Sequence, residues 1–422
     1  MRRRLAALAL AGAALAGAPA AAQSLEEIVA ASFEHSPTLA AARAREDAAA
    51  AGLDQARAES MPSANVQGQL GWGHIDPQGF FGLSADDVTP RSAQVTLDLP
   101  IFAGGRIGAA QKQARLGREL AAMVTNSAAL ALRVEVVRAY TEALAADAEV
   151  RSLSKLEETL GEVVRQAGLR FEAGEGTSTE VAQAEARQAE AQAGLAAAQG
   201  RLDGAVARLS LLAGRPVTPG EDLPSPPPVP ETVEHAVELA LGGNLPLQQA
   251  RKAAEIAGSG IGAARAEGLP TIGLYAEGAS VRDQFFPGYK ADSGSAGLRA
   301  SWTFFSGGRT SSAVRKAEAE ARAASADADA VALEIESQAR QSFTQMRSAR
   351  AALTAAEARV AATQDALRGT RVEVEVGAQP QLALLDAERE AIAAETARIE
   401  AAGRLAVAAH VLRAVTGLET QP

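Results

Sequence analysis

No cysteine occurs in the 422 residues. That excludes a disulfide framework, a thiolate metal site, a cysteine nucleophile and a lipidated N-terminal cysteine. Aromatic residues are scarce, with 10 Phe, 3 Tyr and 2 Trp. The four histidines, His35, His74, His235 and His410, lie in separate stretches without ligand spacing, so no metal site is expected. Positive charge is in deficit: 41 Lys and Arg face 51 Asp and Glu, a net charge of −10 that speaks against nucleic-acid binding. Beyond the N-terminus there is no run of 18 apolar residues, and the mean hydropathy is near zero. A polytopic helical membrane protein is therefore not expected. Catalytic motifs are missing too. Gly258-Ser259-Gly260-Ile261-Gly262 brushes against a dinucleotide fingerprint, but no strand pattern precedes it. No cofactor and no enzymatic activity are expected.

Alanine fills the space instead, with about 100 residues, close to a quarter of the chain. That is helix-forming composition. At the start, Arg2, Arg3 and Arg4 precede an apolar run from Leu5 to Gly17, and Ala20-Ala21-Ala22 follows. The pattern predicts a secretory signal peptide over residues 1–22, cleaved before about Gln23.

The rest is a tandem repeat, the feature to seek first in any chain. Ala56-Arg57-Ala58-Glu59-Ser60-Met61-Pro62 recurs as Ala264-Arg265-Ala266-Glu267-Gly268-Leu269-Pro270. Phe102-Ala103-Gly104-Gly105-Arg106 recurs as Phe305-Ser306-Gly307-Gly308-Arg309. Gly174 corresponds to Gly377, and Gly214 to Gly417; the spacings from Phe102 and Phe305 onward are identical. The copies span residues 23–220 and 231–418. A Pro-rich linker over 221–230 joins them, since Pro226-Pro227-Pro228 and Pro230 cannot continue a helix.

Each copy is mostly helical. Between Pro100 and Pro216 there is no proline, and from about Gly104 to Ala173 the chain reads as one helix of about 105 Å. Leu153, Leu156, Leu160 and Val163 follow a 3-4-3 spacing; Val181, Leu195, Leu202 and Leu209 follow a seven-residue step. These are coiled-coil-like seams. Antiparallel helical hairpins are expected over 104–214 and 307–417, turning near Gly174 and Gly377.

Residues 62–102 and 270–305 break the helical pattern. They hold 11 of the 15 aromatics, among them Trp72, Phe80, Phe81, Phe102, Trp302 and Phe304. Each reads as strand, loop, strand, with strands at 63–73, 91–102, 271–278 and 297–305. In 91–102, Val95, Leu97, Leu99 and Ile101 alternate with Gln94, Thr96 and Asp98. Past the terminal Arg91, the three charges inside these strands, Asp98, Glu277 and Arg299, all fall on the polar phase, so they are expected to face a lumen. Strands of nine to eleven residues with one apolar face match a transmembrane β-barrel. Four strands cannot close one, and an open sheet in lipid leaves unpaired backbone groups. Two, three or four copies of the chain would complete a barrel; the sequence does not choose among them. A periplasmic coiled-coil spacer is the alternative, but it would have no use for the aromatic strands.

This arrangement resembles the TolC family of outer-membrane efflux proteins over nearly the whole chain after the leader. The specific segments are the turns. Val376-Gly377-Ala378-Gln379-Pro380-Gln381-Leu382-Ala383-Leu384-Leu385-Asp386-Ala387 is similar to the family's Val-Gly-Thr-Arg-Thr-x-x-Asp-Val-Leu-Asp-Ala turn, and Arg170-Phe171-Glu172-Ala173-Gly174 to its Arg-Phe-x-x-Gly turn. The resemblance implies a mainly α fold with β: long antiparallel coiled-coil hairpins in an α-barrel, plus four transmembrane strands per chain in a trimeric twelve-stranded β-barrel. It implies a homotrimer in the outer membrane of a Gram-negative bacterium, contacting outer-membrane lipid and reaching into the periplasm. The implied function is a passive exit duct in tripartite efflux or type I secretion. The implied partners are a periplasmic adaptor and an inner-membrane pump of the resistance–nodulation–division (RND) or ABC type. It also places adaptor docking at the hairpin tips, on Ala173, Gly174, Glu175, Val376, Gly377 and Ala378, where an iris opens. Of the family's two Asp positions ringing the closed pore, Asp386 matches the inner; the outer falls on Ala383, and the turn's Arg falls on Gln379. One carboxylate ring is therefore expected where two are usual, responsive to cations and pH, with the Arg-dependent lock absent or rebuilt. Glu180 stands where the first turn carries an Asp and is expected to help hold the closed state.

Overall fold

The computed structural model describes residues 23–76, 85–220 and 225–419. The expected signal peptide, the loop residues Phe80 and Phe81, and the start of the linker at 221–224 lie outside them.

The elements run α1 (Leu25–His35), α2 (Pro37–Ala58), β1 (Ser63–Leu70), β2 (Gly73–Ile75), β3 (Asp86–Val88), β4 (Arg91–Ala103), α3 (Arg106–Glu172) and α4 (Ser178–Ala213). The second copy follows as α5 (Val233–Gly243), α6 (Leu245–Ala266), β5 (Thr271–Arg282), β6 (Lys290–Ser301), α7 (Arg309–Glu375) and α8 (Gln381–Thr416). Corresponding helices have equal lengths. α1 and α5 have 11 residues, α2 and α6 have 22, α3 and α7 have 67, and α4 and α8 have 36. The two halves of the chain thus match helix for helix in length.

Local chemistry sets the helix boundaries. Ser24 and Glu27 close a capping box at the start of α1. The Ser36 hydroxyl accepts from Leu39 N–H at 3.3 Å, and Pro37 occupies the first position of α2, where no N–H is needed. α4 and α8 both end on a left-handed glycine, Gly214 (φ 68°) and Gly417 (φ 72°). These two positions leave no room for a side chain. A Cβ on Gly214 would stand 2.5 Å from the His35 ring, and one on Gly417 would stand 2.4 Å from the Gly243 carbonyl oxygen.

Two compact units cut across the two copies. Within the described residues, one falls in Met1–Ala41, Asn126–Leu245 and Ala332–Pro422, the other in Ala42–Thr125 and Pro246–Val331. The first is helical, and three apolar cores stand out among its described residues. One packs Ile28 and Val29 of α1 against Val136, Val137 and Tyr140 of α3 and Leu209 of α4. A second joins Leu156, Leu160 and Val163 of α3 to Ala184 and Ala191 of α4 and Leu385 of α8. The third gathers Phe343 and Met346 of α7 with Leu405 and Leu412 of α8. The 3-4-3 spacing fills the second core. Of the seven-residue step, Leu209 and Val181 reach a core, whereas Leu195 and Leu202 join none of the three, and the buried α4 residues seven apart are Ala184, Ala191 and Ala198. Alanine is what lets the helices approach closely; Ala198 and Ala394 are fully buried.

The second unit carries the main sheet, four antiparallel strands in the order β1-β4-β5-β6. The pairing of β4 with β5 joins the two copies, with Asp98 opposite Tyr275. Three strands differ in extent from the sequence pattern. β1 ends at Leu70, and the chain then enters a separate two-stranded ribbon in which β2 pairs with β3, so Trp72 lies outside both. β5 runs on to Arg282. β6 spans Lys290–Ser301, seven residues ahead of the expected start, so Trp302 and Phe304 follow the strand. The reason is backbone pairing: the Ala-, Ser- and Gly-rich stretch 291–297 has no apolar alternation, yet it is held residue for residue against β5 from Arg282↔Lys290 to Thr271↔Ser301.

α3 also departs from expectation. It contains an 18-residue window apolar enough to cross a membrane by length and composition, only 11% of it buried within the chain. Its alanines and few charges achieve this without any continuous apolar run.

Candidate functional site

The sheet has two chemically distinct faces. Residues paired directly across strands share a face. One face carries Ser63, Asn65, Gln67 and Gln69 of β1, Gln94, Thr96 and Asp98 of β4, Tyr275 and Glu277 of β5, and Ser295 and Arg299 of β6. The opposite face carries Val66, Leu70, Val95, Leu97, Leu274 and Leu298. That apolar face is open within one chain: Val66 is 74% exposed and Leu298 67%. At one end it is bordered by a row of Arg91, Arg282 and Lys290, with Asp283 and Asp292 paired to the two arginines at 2.9 Å. At the other end stand Phe102, Trp302, Phe304 and Phe305, all exposed. Trp302 donates its ring N–H to the Gly268 carbonyl at 3.1 Å and packs edge-on against Phe304. An apolar band edged by charge and by aromatics is the pattern of a sheet facing lipid.

The three polar-phase charges come together. Arg299 lies 3.5 Å from Asp98 and 4.0 Å from Glu277, with its guanidinium 4.5 Å above the Tyr275 ring. The Ser295 hydroxyl donates to the other oxygen of Glu277 at 3.0 Å.

In the helical unit, the two hairpin turns have the same backbone. Gly174 (φ 75°) and Gly377 (φ 76°) take the left-handed conformation. Glu175 N–H bonds Arg170 O and Ala378 N–H bonds Glu373 O, each at 2.8 Å, with the glycine N–H closing a second bond three residues back. This is the Schellman arrangement, which satisfies the last carbonyls of a helix. The turns then diverge. Thr177 caps α4 and forms a capping box with Glu180, so the Glu180 carboxylate is engaged with the Thr177 N–H at 3.5 Å. α8 is preceded by Pro380, which provides no side-chain cap. Around these turns Leu169, Phe171, Val372 and Val376 are exposed. Ala173, Glu175, Ala378 and Gln379 are exposed there too.

Asp386 lies in the second turn of α8. Arg187 of α4 donates to it at 2.5 Å. The sequence reading missed this partner, which lies 199 residues away in the chain. The available signal is that Glu180 and Arg187 stand seven residues apart and share a helix face, the face that carries Ala184 and Ala191 into the core with Leu385. Leu169 and Val372, apolar residues exposed near the turns, were missed as well. The carboxylate therefore has a cation beside it within the chain, and an isolated acidic ring is not what one copy presents.

A different ionic cluster closes the chain's end. Glu419, with 4% of its side chain exposed, accepts from Arg413 at 2.8 Å, meets the His410 ring at 3.1 Å and lies 2.9 Å from Arg133 of α3. The Arg133 contact is a charge contact, since its Nε–H is not aligned as a hydrogen bond. Burial pushes the Glu419 carboxyl up, but the bonds from His410 and Arg413 and the charges of His410 and Arg133 outweigh it, and the net shift is downward.

The chain is 29% identical over 284 residues to the outer membrane efflux protein BepC of Brucella suis, covering 64% of this chain and 61% of that protein. It is 29% identical over 268 residues to the alkaline protease secretion protein AprF of Pseudomonas aeruginosa, covering 61% and 55%. The chain thus spans less than two thirds of the length of these curated relatives. In fold it is similar to the CmeC outer membrane channel of Campylobacter jejuni, with a TM-score of 0.79 at 15% identity over 93% of this chain and 85% of that one. It is also similar to the outer membrane protein VceC of Vibrio cholerae, with a TM-score of 0.75 at 20% identity over 93% and 96%. Residues 29–215 and 236–418, one segment from each copy, match the family described as outer membrane efflux protein. With both copies matched, this chain belongs to the outer membrane efflux protein family, a family of channels and not of enzymes.

Proposed function

We propose that the protein is the outer-membrane exit duct of an efflux or secretion system, conducting substrate without chemistry of its own. The observation that carries this reading is the four-stranded sheet with one apolar exposed face, one polar face and two open edges, β1 and β6. In lipid every open edge leaves backbone groups unpaired at several kcal/mol each. Copies of the same chain remove the edges, and three copies give twelve strands, as in the homotrimer the family resemblance implies. The lightly buried apolar window of α3 supports a neighbouring chain in the helical part as well.

The hairpin turns are the docking end in this reading. Ala173, Gly174, Glu175, Val376, Gly377 and Ala378, flanked by exposed Leu169 and Val372, would meet a periplasmic adaptor fed by an inner-membrane pump of the RND or ABC type. Asp386 is the gate residue, held by Arg187. The family's lock residue is replaced by Gln379, and the Arg187–Asp386 pair ties α4 to α8 in its stead. A half-exposed pair of this kind contributes about 1 kcal/mol or less, weak enough for an adaptor to break.

The test is the protein mass of detergent-extracted material from the outer-membrane fraction, by light scattering after size exclusion. Three chains, with single-channel conductance in planar bilayers, are expected. A monomer soluble without detergent would leave the periplasmic spacer as the working description.

A further inference from the structure

We infer that Arg299 sets the charge selectivity of the barrel lumen, holding it mildly cation-preferring. The inference rests on the duct reading above, with the polar face of the sheet turned inward. Asp98, Glu277 and Arg299 are the only charged residues on that face within the four strands. They form one cluster, with Arg299 at 3.5 Å and 4.0 Å from the two carboxylates. One cation against two anions leaves −1 per chain. The charges are not sealed away: Arg299 and Asp98 are 61% and 52% exposed, so mobile ions sense them.

The cluster is also held in place. The guanidinium rests on the Tyr275 ring, and Ser295 fixes the outer oxygen of Glu277. Beside it lies a cavity of about 330 Å³ lined by Asp98, Arg299, Leu99 and Arg106. Arg106 is paired with Glu59 at 3.0 Å and adds no net charge there.

Three copies give a ring of charge −3 in the lumen. Twelve tilted strands about 4.8 Å apart enclose a radius of about 12 Å, so side-chain charges stand roughly 7 Å from the axis. At that distance, in 0.1 M salt, each step of three charges changes the local cation concentration about fourfold, and in 1 M salt only about 1.3-fold. The lumen should thus favour cations, and the preference should be adjustable in both directions from one cluster.

The experiment is the reversal potential of the purified full-length protein in planar bilayers under a KCl gradient. Arg299→Gln doubles the ring charge and should raise the potassium-to-chloride permeability ratio on the order of tenfold in 0.1 M salt, since cations gain and anions lose by the same factor. Asp98→Asn with Glu277→Gln inverts the ring and should lower the ratio by at least as much. Arg299→Lys keeps the charge and should leave the ratio at the wild-type value, which separates charge from geometry. All differences should collapse in 1 M salt. Channels of normal conductance whose ratio is the same in wild type, Arg299→Gln and the double variant would overturn the inference and leave the duct intact. A wild-type protein that conducts nothing would instead overturn the duct reading, and the inference with it.

Discussion

Replacing Glu419 with glutamine removes a buried carboxylate that is held by His410, Arg413 and Arg133. Among the described residues, Glu26 of α1 is a further charged group at this cluster; it pairs with Arg133 at 2.8 Å and is largely exposed. Removing one partner of a buried ion pair costs about 3–5 kcal/mol, because the remaining charge is stranded. Here the loss falls at the lower end. Arg133 keeps Glu26, and Arg413 keeps the carbonyls of Pro228 and Leu418. We expect about 3 kcal/mol per chain. With an unfolding entropy of roughly 2.1 cal/mol/K per residue over about 400 residues, that lowers Tm by about 3–4 °C. In an oligomer the cost and the entropy scale together, so the shift is unchanged. The pH dependence has a definite sign. The folded-state pKa of Glu419 lies below the ordinary value of 4.5. Its stabilisation is therefore complete above the unfolded-state value and is lost as pH falls through the folded one. Thermal melts followed by far-ultraviolet circular dichroism in detergent, at one scan rate, should show the full gap at about pH 7 and a narrower one at about pH 3. A gap under about 1 °C at neutral pH, or one of equal size at both pH values, would refute the reasoning.

At the tip, Arg187→Gln should free Asp386 and strengthen block by divalent cations, whereas Asp386→Asn should weaken it; planar-bilayer conductance reads both, and equal behaviour would remove Asp386 from the gate. Thr177→Ala should cost about 1 kcal/mol at the start of α4, seen as faster amide exchange in that turn with little change at the uncapped start of α8. On the apolar face of the sheet, Leu298→Lys should cost about 2–4 kcal/mol and reduce the amount of assembled protein in the outer membrane, while Ser293→Lys on the polar face should be tolerated. Equal losses for the two substitutions would contradict the assignment of faces.

The division between what was legible and what was not follows the range of each interaction. Helix extent is local: it depends on proline, glycine and spacing, and the turns at Gly174 and Gly377 were readable because a left-handed residue at a helix end favours glycine. The repeat doubled every such signal. The alternation in β4 was readable because neighbouring residues must face opposite sides of a sheet. The first part of β6, residues 290–296, was not, because its small residues carry no pattern and only pairing with β5 makes them a strand.

The sequence by itself determined the helical hairpins, the repeat, the two aromatic strand segments and the phase of Asp98, Glu277 and Arg299, since all of these depend on residues close together in the chain. Only the tertiary structure decided which distant side chains meet: Arg187 with Asp386, Arg133 with Glu419, and Arg299 with both lumen carboxylates. Nothing in local spacing encodes such meetings. They arise when separate helices and strands bury their apolar faces together, and the ion pairs then take whatever partners that packing brings within reach.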